Sequence, residues 1–179
     1  GPGGLRTTVG IPGTGVYYEK RKKLGSSKKG KPAIGNTPTS PEGGQEISLS
    51  FFKALTLPPA EKDLIEGMNA LLKGDMDATQ KALKGALGRD RTLADASFVM
   101  ALILDDDALR LWHIENVFKN INNFGKYFSK YNVTVGGSLQ VTDELSVEIL
   151  NDELGLTLLS AEIYQDTGNI SKAIEILKN

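Results

Sequence analysis

The chain has no cysteine, one tryptophan and one histidine in 179 residues. Without cysteine there are no disulfides, thiolate metal sites or cysteine nucleophiles. The lone His113 supplies no metal site, and no Ser or Asp stands at a spacing that would make it a catalytic base. It reads as a packed or surface side chain. No apolar run approaches the ~18–20 residues of a membrane span. A secretory pattern of basic start, apolar stretch and cleavage site is also missing. We therefore expect no cofactor and no metal, no enzymatic activity and a cytoplasmic location.

The remaining composition is that of a globular protein, 40% hydrophobic and 24% charged, with a net charge of −1. That average conceals a split. Residues 1–35 carry eight Lys/Arg against the single acid Glu19, a net of +7, whereas residues 36–179 carry thirteen against twenty-one acids, a net of −8. A basic head precedes an acidic body.

Residues 5–19 alternate apolar and polar around Pro12-Gly13-Thr14-Gly15, the pattern of a β-hairpin. Residues 20–46 are rich in Lys, Gly, Ser and Pro and hold too few apolar side chains to form a core, so they read as a linker. Apolar content returns at Ile47, and residues 47–179 form the body. A short turn through Phe51, Phe52 and Leu55 ends at Pro58-Pro59. Apolar spacing predicts helices over residues 60–73, with Leu64, Ile65, Met68, Leu71 and Leu72 as a stripe, and over 77–88, with Leu83 and Leu87 inward. A third helix runs through Leu93, Ala96, Met100 and Leu104. A fourth follows Asp105-Asp106-Asp107 and carries Leu111, Ile114, Phe118 and Ile121 at helical spacing. Phe124, Tyr127, Phe128 and Tyr131 repeat at i, i+3, i+4 and i+7, either as a buried stripe or as a binding face. Alternation of Leu139, Val141, Val147 and Ile149 across Asp143-Glu144 predicts a β-hairpin near 138–150, entered through a flexible Gly136-Gly137. Two final helices cover about 152–166 and 170–178.

One short pattern occurs twice. Gly74-Asp75 and Gly168-Asn169 each lie seven residues after a small residue (Gly67, Ala161). Each is followed by a small residue five positions after the Gly (Thr79, Ala173) and by Leu nine positions after it (Leu83, Leu177). This is the signature of a helix, a tight turn and a second helix crossing closely over the first. The glycines lie 94 residues apart, close to three repeats of ~34. On these residues the segment 58–179 resembles tetratricopeptide-type repeats. Asp63, Glu66 and Ser160 depart from that pattern, and the middle unit, 92–123, has no Gly turn. Separately, the run Gly4 to Tyr18 resembles the end of a bacterial Gly-rich domain of unknown function (DUF family 4236), whose remainder is expected ahead of residue 1.

The fold expected is thus mainly α: a short tetratricopeptide-like hairpin domain with an inserted β-hairpin and an N-terminal β-hairpin. The resemblance implies a non-catalytic scaffold that binds a protein or peptide. It also implies a groove lined by the first helix of each unit, placing Leu64, Met68, Leu71, Leu158, Glu162 and Gln165 on it. Self-association through the N-terminal hairpin or the last unit is a further expectation. The basic run Lys20, Arg21, Lys22, Lys23, Lys28, Lys29 and Lys31 has three open readings: a solubilising linker, attraction to the acidic body, or binding of a polyanion such as nucleic acid or an anionic membrane. Gly25 to Lys31 has the spacing of a phosphate-binding loop. Pro32 stands where that loop needs a hydroxyl, and no helix follows, so it reads as linker. Asp105 to Asp107 read as helix-capping groups rather than cation ligands.

Overall fold

The computed structural model describes residues 5–10, 17–21, 46–49, 51–140 and 145–178. It is mainly helical. Strands β1 (Leu5–Gly10) and β2 (Tyr17–Arg21) are followed by helices α1 (Phe51–Thr56), α2 (Pro59–Leu72), α3 (Met76–Arg89), α4 (Ala94–Ile103) and α5 (Asp107–Lys119). A 3-10 turn at Ile121–Asn123 leads into α6 (Lys126–Tyr131), strands β3 (Val135–Gln140) and β4 (Ser146–Leu150), and helices α7 (Glu153–Asp166) and α8 (Ile170–Ile176).

The repeated glycine pattern does the same work twice. Gly74 and Gly168 adopt φ of 75° and 78°, left-handed values that cost glycine little. At the end of α2, Gly74 N–H donates to Leu71 O at 2.9 Å and Asp75 N–H to Ala70 O at 3.0 Å. At the end of α7, Gly168 N–H donates to Gln165 O at 3.0 Å and Asn169 N–H to Tyr164 O at 2.7 Å. Both turns are Schellman motifs, which satisfy carbonyls that the helix end would otherwise leave open. The chain then reverses into α3 and α8. Asp75 caps α3 by accepting from Ala78 N–H at 2.9 Å. The crossing is close: a Cβ at Gly67 would lie 2.6 Å from Leu83 Cδ2. The middle hairpin, α4–α5, turns without glycine, and Asp106 caps α5 through Leu109 N–H at 2.9 Å.

All ten residues of α4 are buried. A helix that is apolar on every side needs neighbours on every side, and α3, α5, α6, the 3-10 turn and β3 supply them. Its one charge, Asp95, points at the start of α6. Gly125 N–H donates to Asp95 Oδ1 at 2.6 Å, and Tyr127 and Phe128 N–H donate to Oδ2 at 2.7 and 3.0 Å. A carboxylate from another helix thus does what Gly125 lacks a side chain to do. Burial pushes the Asp95 carboxyl above its usual range, and the three donors oppose that shift.

The two β-hairpins join. β1 pairs antiparallel with β2 on one side and with β3 on the other, in the order β2-β1-β3-β4. Gly136 and Gly137, expected as a flexible entry, lie inside β3 instead. The reason is steric: a Cβ at Gly136 would lie 2.5 Å from Ile149 O on the neighbouring strand. Val135 and Ile149 carry the sheet into the core. Asn69 clasps the chain ahead of α1, accepting from Ile47 N–H at 2.8 Å and donating to Ile47 O at 3.3 Å.

Helix α5 shows the largest departure from its pattern. Its buried residues are Arg110, His113, Ile114 and Val117. Of the four apolar residues at helical spacing, only Ile114 is buried. Leu111 is half-buried, while Phe118 and Ile121 are exposed. Arg110, with no exposed surface, explains the rotation. Its Nη2 donates to Glu162 Oε2 at 2.5 Å and Nη1 to Glu162 Oε1 at 3.3 Å, while Nε donates to Ala101 O at 2.9 Å. Asp107 and Asp166 add carboxylates at 3.4 and 3.6 Å. Burial pushes the Glu162 carboxyl up, Arg110 pulls it down, and Asp166 pushes it up again.

Packing and charge pairing set three stability outcomes, all read by thermal and denaturant melts. Gly155→Ala should cost several kcal/mol, beyond the ~1–3 kcal/mol of an ordinary overpacked site, because its Cβ would sit 1.7 Å from Leu150 O, backbone that cannot swing aside. Gly88→Ala, where a Cβ meets nothing within 4 Å, should stabilise by ~0.5–1 kcal/mol. Arg110→Met should cost ~3–5 kcal/mol by stranding the Glu162 carboxyl, and adding Glu162→Leu should restore much of that loss.

Candidate functional site

The groove expected along the first helices is filled. The sheet and α6 contact the first helix of every hairpin: β1 touches α2, α6 and β3 touch α4, and β4 touches α7. From α6, Lys130 and the Tyr131 hydroxyl both bond Glu61 on α2. Burial would raise the Glu61 carboxyl, but these two hydrogen bonds, with the nearby ammonium groups, hold it below the usual range. Leu64, Met68 and Leu71 are buried in the core. Glu162 is committed to Arg110, Leu158 is half-buried, and Gln165 alone of the six is exposed. The aromatic run belongs to the same filling. Phe128 is buried, and Phe124, Tyr127 and Tyr131 are half-buried. Phe98 on α4 packs on Phe124 and Phe128 with centroids 5.3 and 6.1 Å apart.

In the basic run, Lys20 and Arg21 fall in β2, opposite Thr7 and Arg6. Lys22, Lys23, Lys28, Lys29 and Lys31 lie outside the described residues, as does Gly25 to Pro32. No group of three or more His, Asp or Glu able to hold a metal ion exists among the described residues. Of Asp105 to Asp107, Asp106 caps the start of α5 and Asp107 faces Arg110 from its first turn. No helix among the described residues is long and apolar enough to cross a membrane.

An accessible concave surface lies elsewhere, between the second helices α3 and α5. A cleft of about 510 Å³ is lined by Lys84, Leu87 and Gly88 of α3, Arg91 of the following turn, and Leu109, Trp112 and His113 of α5. A second cleft, about 340 Å³, adjoins it past Arg91 and Trp112, with Glu115, Asn116 and Lys119 on its wall. Together they form one groove with Trp112 at its centre. The rotation of α5 creates this surface. With Arg110 turned inward, Leu109 and Trp112 are left 48% and 47% exposed. The floor is held by Asn116, whose Nδ2 donates to Arg91 O at 2.9 Å and to Ser97 Oγ at 2.7 Å.

His113 sits where the groove meets the core. It is 6% exposed, its ring packs against Trp112 with centroids 4.8 Å apart, and its Nδ1 is buried without a hydrogen-bond partner. Burial, reinforced by the Lys84 ammonium, lowers its pKa from 6.5 to about 4. The imidazole is therefore neutral at pH 7. Periodicity did not single out Trp112, Leu109, Lys84 or Arg91. The available signal was the chain's only Trp standing beside its only His on one helix.

Comparisons of the chain with protein-family models, with curated proteins and with solved structures find no match.

The His113 shift has a measurable sign. Between pH 6.5 and about 4 the unfolded chain binds a proton at His113 that the folded chain refuses, so stability rises with pH across that window. The contribution, up to ~3 kcal/mol at ~1.4 kcal/mol per pH unit, is fully present above pH 6.5 and is lost as pH falls toward 4. Urea melts at pH 7 and pH 5 should therefore show a smaller acid-induced loss for His113→Gln than for the parent chain.

Proposed function

We propose that this protein is a non-catalytic scaffold that binds a peptide or protein segment, and that the segment lies in the α3–α5 groove. The observation carrying this reading is Trp112, half-exposed at the centre of a groove walled by Leu87 and Leu109 and flanked by side chains that can fix an orientation. Binding hot spots are enriched in Trp, Tyr and Arg, and they work best where surrounding walls exclude water. Trp112 and Arg91 together supply that combination.

The tetratricopeptide-like reading belongs here as well. Paired helices with Schellman turns and a small residue at the crossing support a kinship of architecture with such repeats. In this chain α6 and strands β1, β3 and β4 lie against the face that the first helices would present. Partner binding is then a property of the second helices.

Panning a random peptide library against the full chain tests the proposal. Selected peptides should quench or shift the emission of Trp112, the only tryptophan. Trp112→Ala should weaken them at least ~tenfold, the ~1.4 kcal/mol or more expected of a hot spot, while the melting temperature stays within about 2 °C because the side chain is half in solvent. If selected peptides bind Trp112→Ala as tightly as the parent chain, the groove is not the site.

A further inference from the structure

The charge of the larger cleft is one-sided. Lys84 and Arg91 line it, and no carboxylate does. Among the described residues neither cation takes part in an ion pair, although other cations of the same body do. Arg89 holds Asp63 at 2.7 Å, Lys73 holds Glu46 at 2.8 Å, and Lys130 holds Glu61. The body carries a net negative charge, yet this cleft presents two cations without an ion pair beside an exposed apolar side chain, a locally positive surface. Two further features make the cleft receptive. Space is open above the Gly88 backbone, where a Cβ would meet nothing within 4 Å. The wall also holds His113, nine-tenths buried and with a ring nitrogen that has no partner.

Building on the groove reading above, we propose that its occupant is an acidic amphipathic peptide segment. Its carboxylates meet Lys84 and Arg91, and an apolar side chain lies between Trp112 and Leu109. Charge complementarity of this kind fixes register and speeds encounter, while the apolar anchor supplies affinity. A nucleic acid suits the groove less well. A polyanion partner uses many phosphate contacts, whereas here only three cations, Lys84, Arg91 and Lys119, flank apolar walls, and Glu115 stands beside Lys119 in the adjoining cleft.

The chain carries its own reporters, because Trp112 and His113 are its only Trp and His. The probes are three peptides of about ten residues, long enough in extended form to span a groove of this kind. They share one apolar pattern and carry Asp/Glu, Asn/Gln or Lys/Arg at the spacer positions. Titrated into the full chain, the acidic peptide should bind at least ~tenfold more tightly than the amide peptide at low salt, a gap of ~1.4 kcal/mol. The gap should narrow as salt screens the pairing. Bound carboxylates should also offset Lys84 and move the His113 imidazole resonances toward a higher titration midpoint. The double variant Lys84→Glu/Arg91→Glu, changed only at exposed positions, should reverse the preference in favour of the basic peptide.

Equal binding of acidic and amide peptides, both lost in Trp112→Ala, would overturn the acidic occupant while leaving the groove reading intact. An unchanged preference in the double variant, or displacement of the acidic peptide by a single-stranded oligonucleotide at lower concentration, would also overturn it. Failure of the groove reading has a different mark, namely library-selected peptides that are indifferent to Trp112→Ala.

Discussion

Arg110 is a full positive charge with no exposed surface, and the arrangement of α5 follows from it. Desolvating a guanidinium is costly unless its donors are matched. Here Glu162 takes two of them and the Ala101 carbonyl a third. The match spans three helices, α4, α5 and α7, and so fixes how the last hairpin sits against the middle one. It also fixes the rotation of α5. Once Arg110 faces inward, residues about 100° apart along the helix have no choice of direction. His113 and Val117 follow it into the interior, while Trp112 turns to solvent.

Asp95 plays the same part for the insert. It is the single carboxylate within the fully buried α4, and it holds the three N–H groups that open α6. An uncapped helix start would leave those donors unsatisfied in the core. With them bound, the aromatic ring cluster and the strands that follow close over the first helices of the hairpins. Two buried carboxyl groups, Asp95 and Glu162, therefore decide which faces are covered and which remain open. The surface available to a partner is what is left after both are satisfied.

Much of the fold is legible in local chemistry. The two Gly turns, with their small residues at the crossing, specify hairpins at both ends of the body because only a left-handed residue completes a Schellman turn at low cost. Alternation marked the two β-hairpins, and the apolar stripes of α2, α3 and α4 matched the buried faces. The misreadings share one cause. Leu111, Phe118 and Ile121 formed a convincing stripe, but hydrophobic spacing is blind to a buried arginine whose partner lies 52 residues away. Likewise, Gly136-Gly137 signals flexibility from composition alone. Its true role, letting one strand lie close on the Ile149 carbonyl, needs the neighbouring strand to be present.

Local sequence suffices for the helical hairpins, the Gly turns between them, the capping acids ahead of α5 and the split between basic head and acidic body. These are set by residues within a few positions of one another. Tertiary packing is what lays β1, α6, β3 and β4 against the first helices and joins β1 to β3. It also decided that the only Trp and the only His meet Lys84 and Arg91 across two helices. Those outcomes rest on pairings between distant residues, where the cost of burying a charge, rather than the pattern of apolar side chains, selects the orientation.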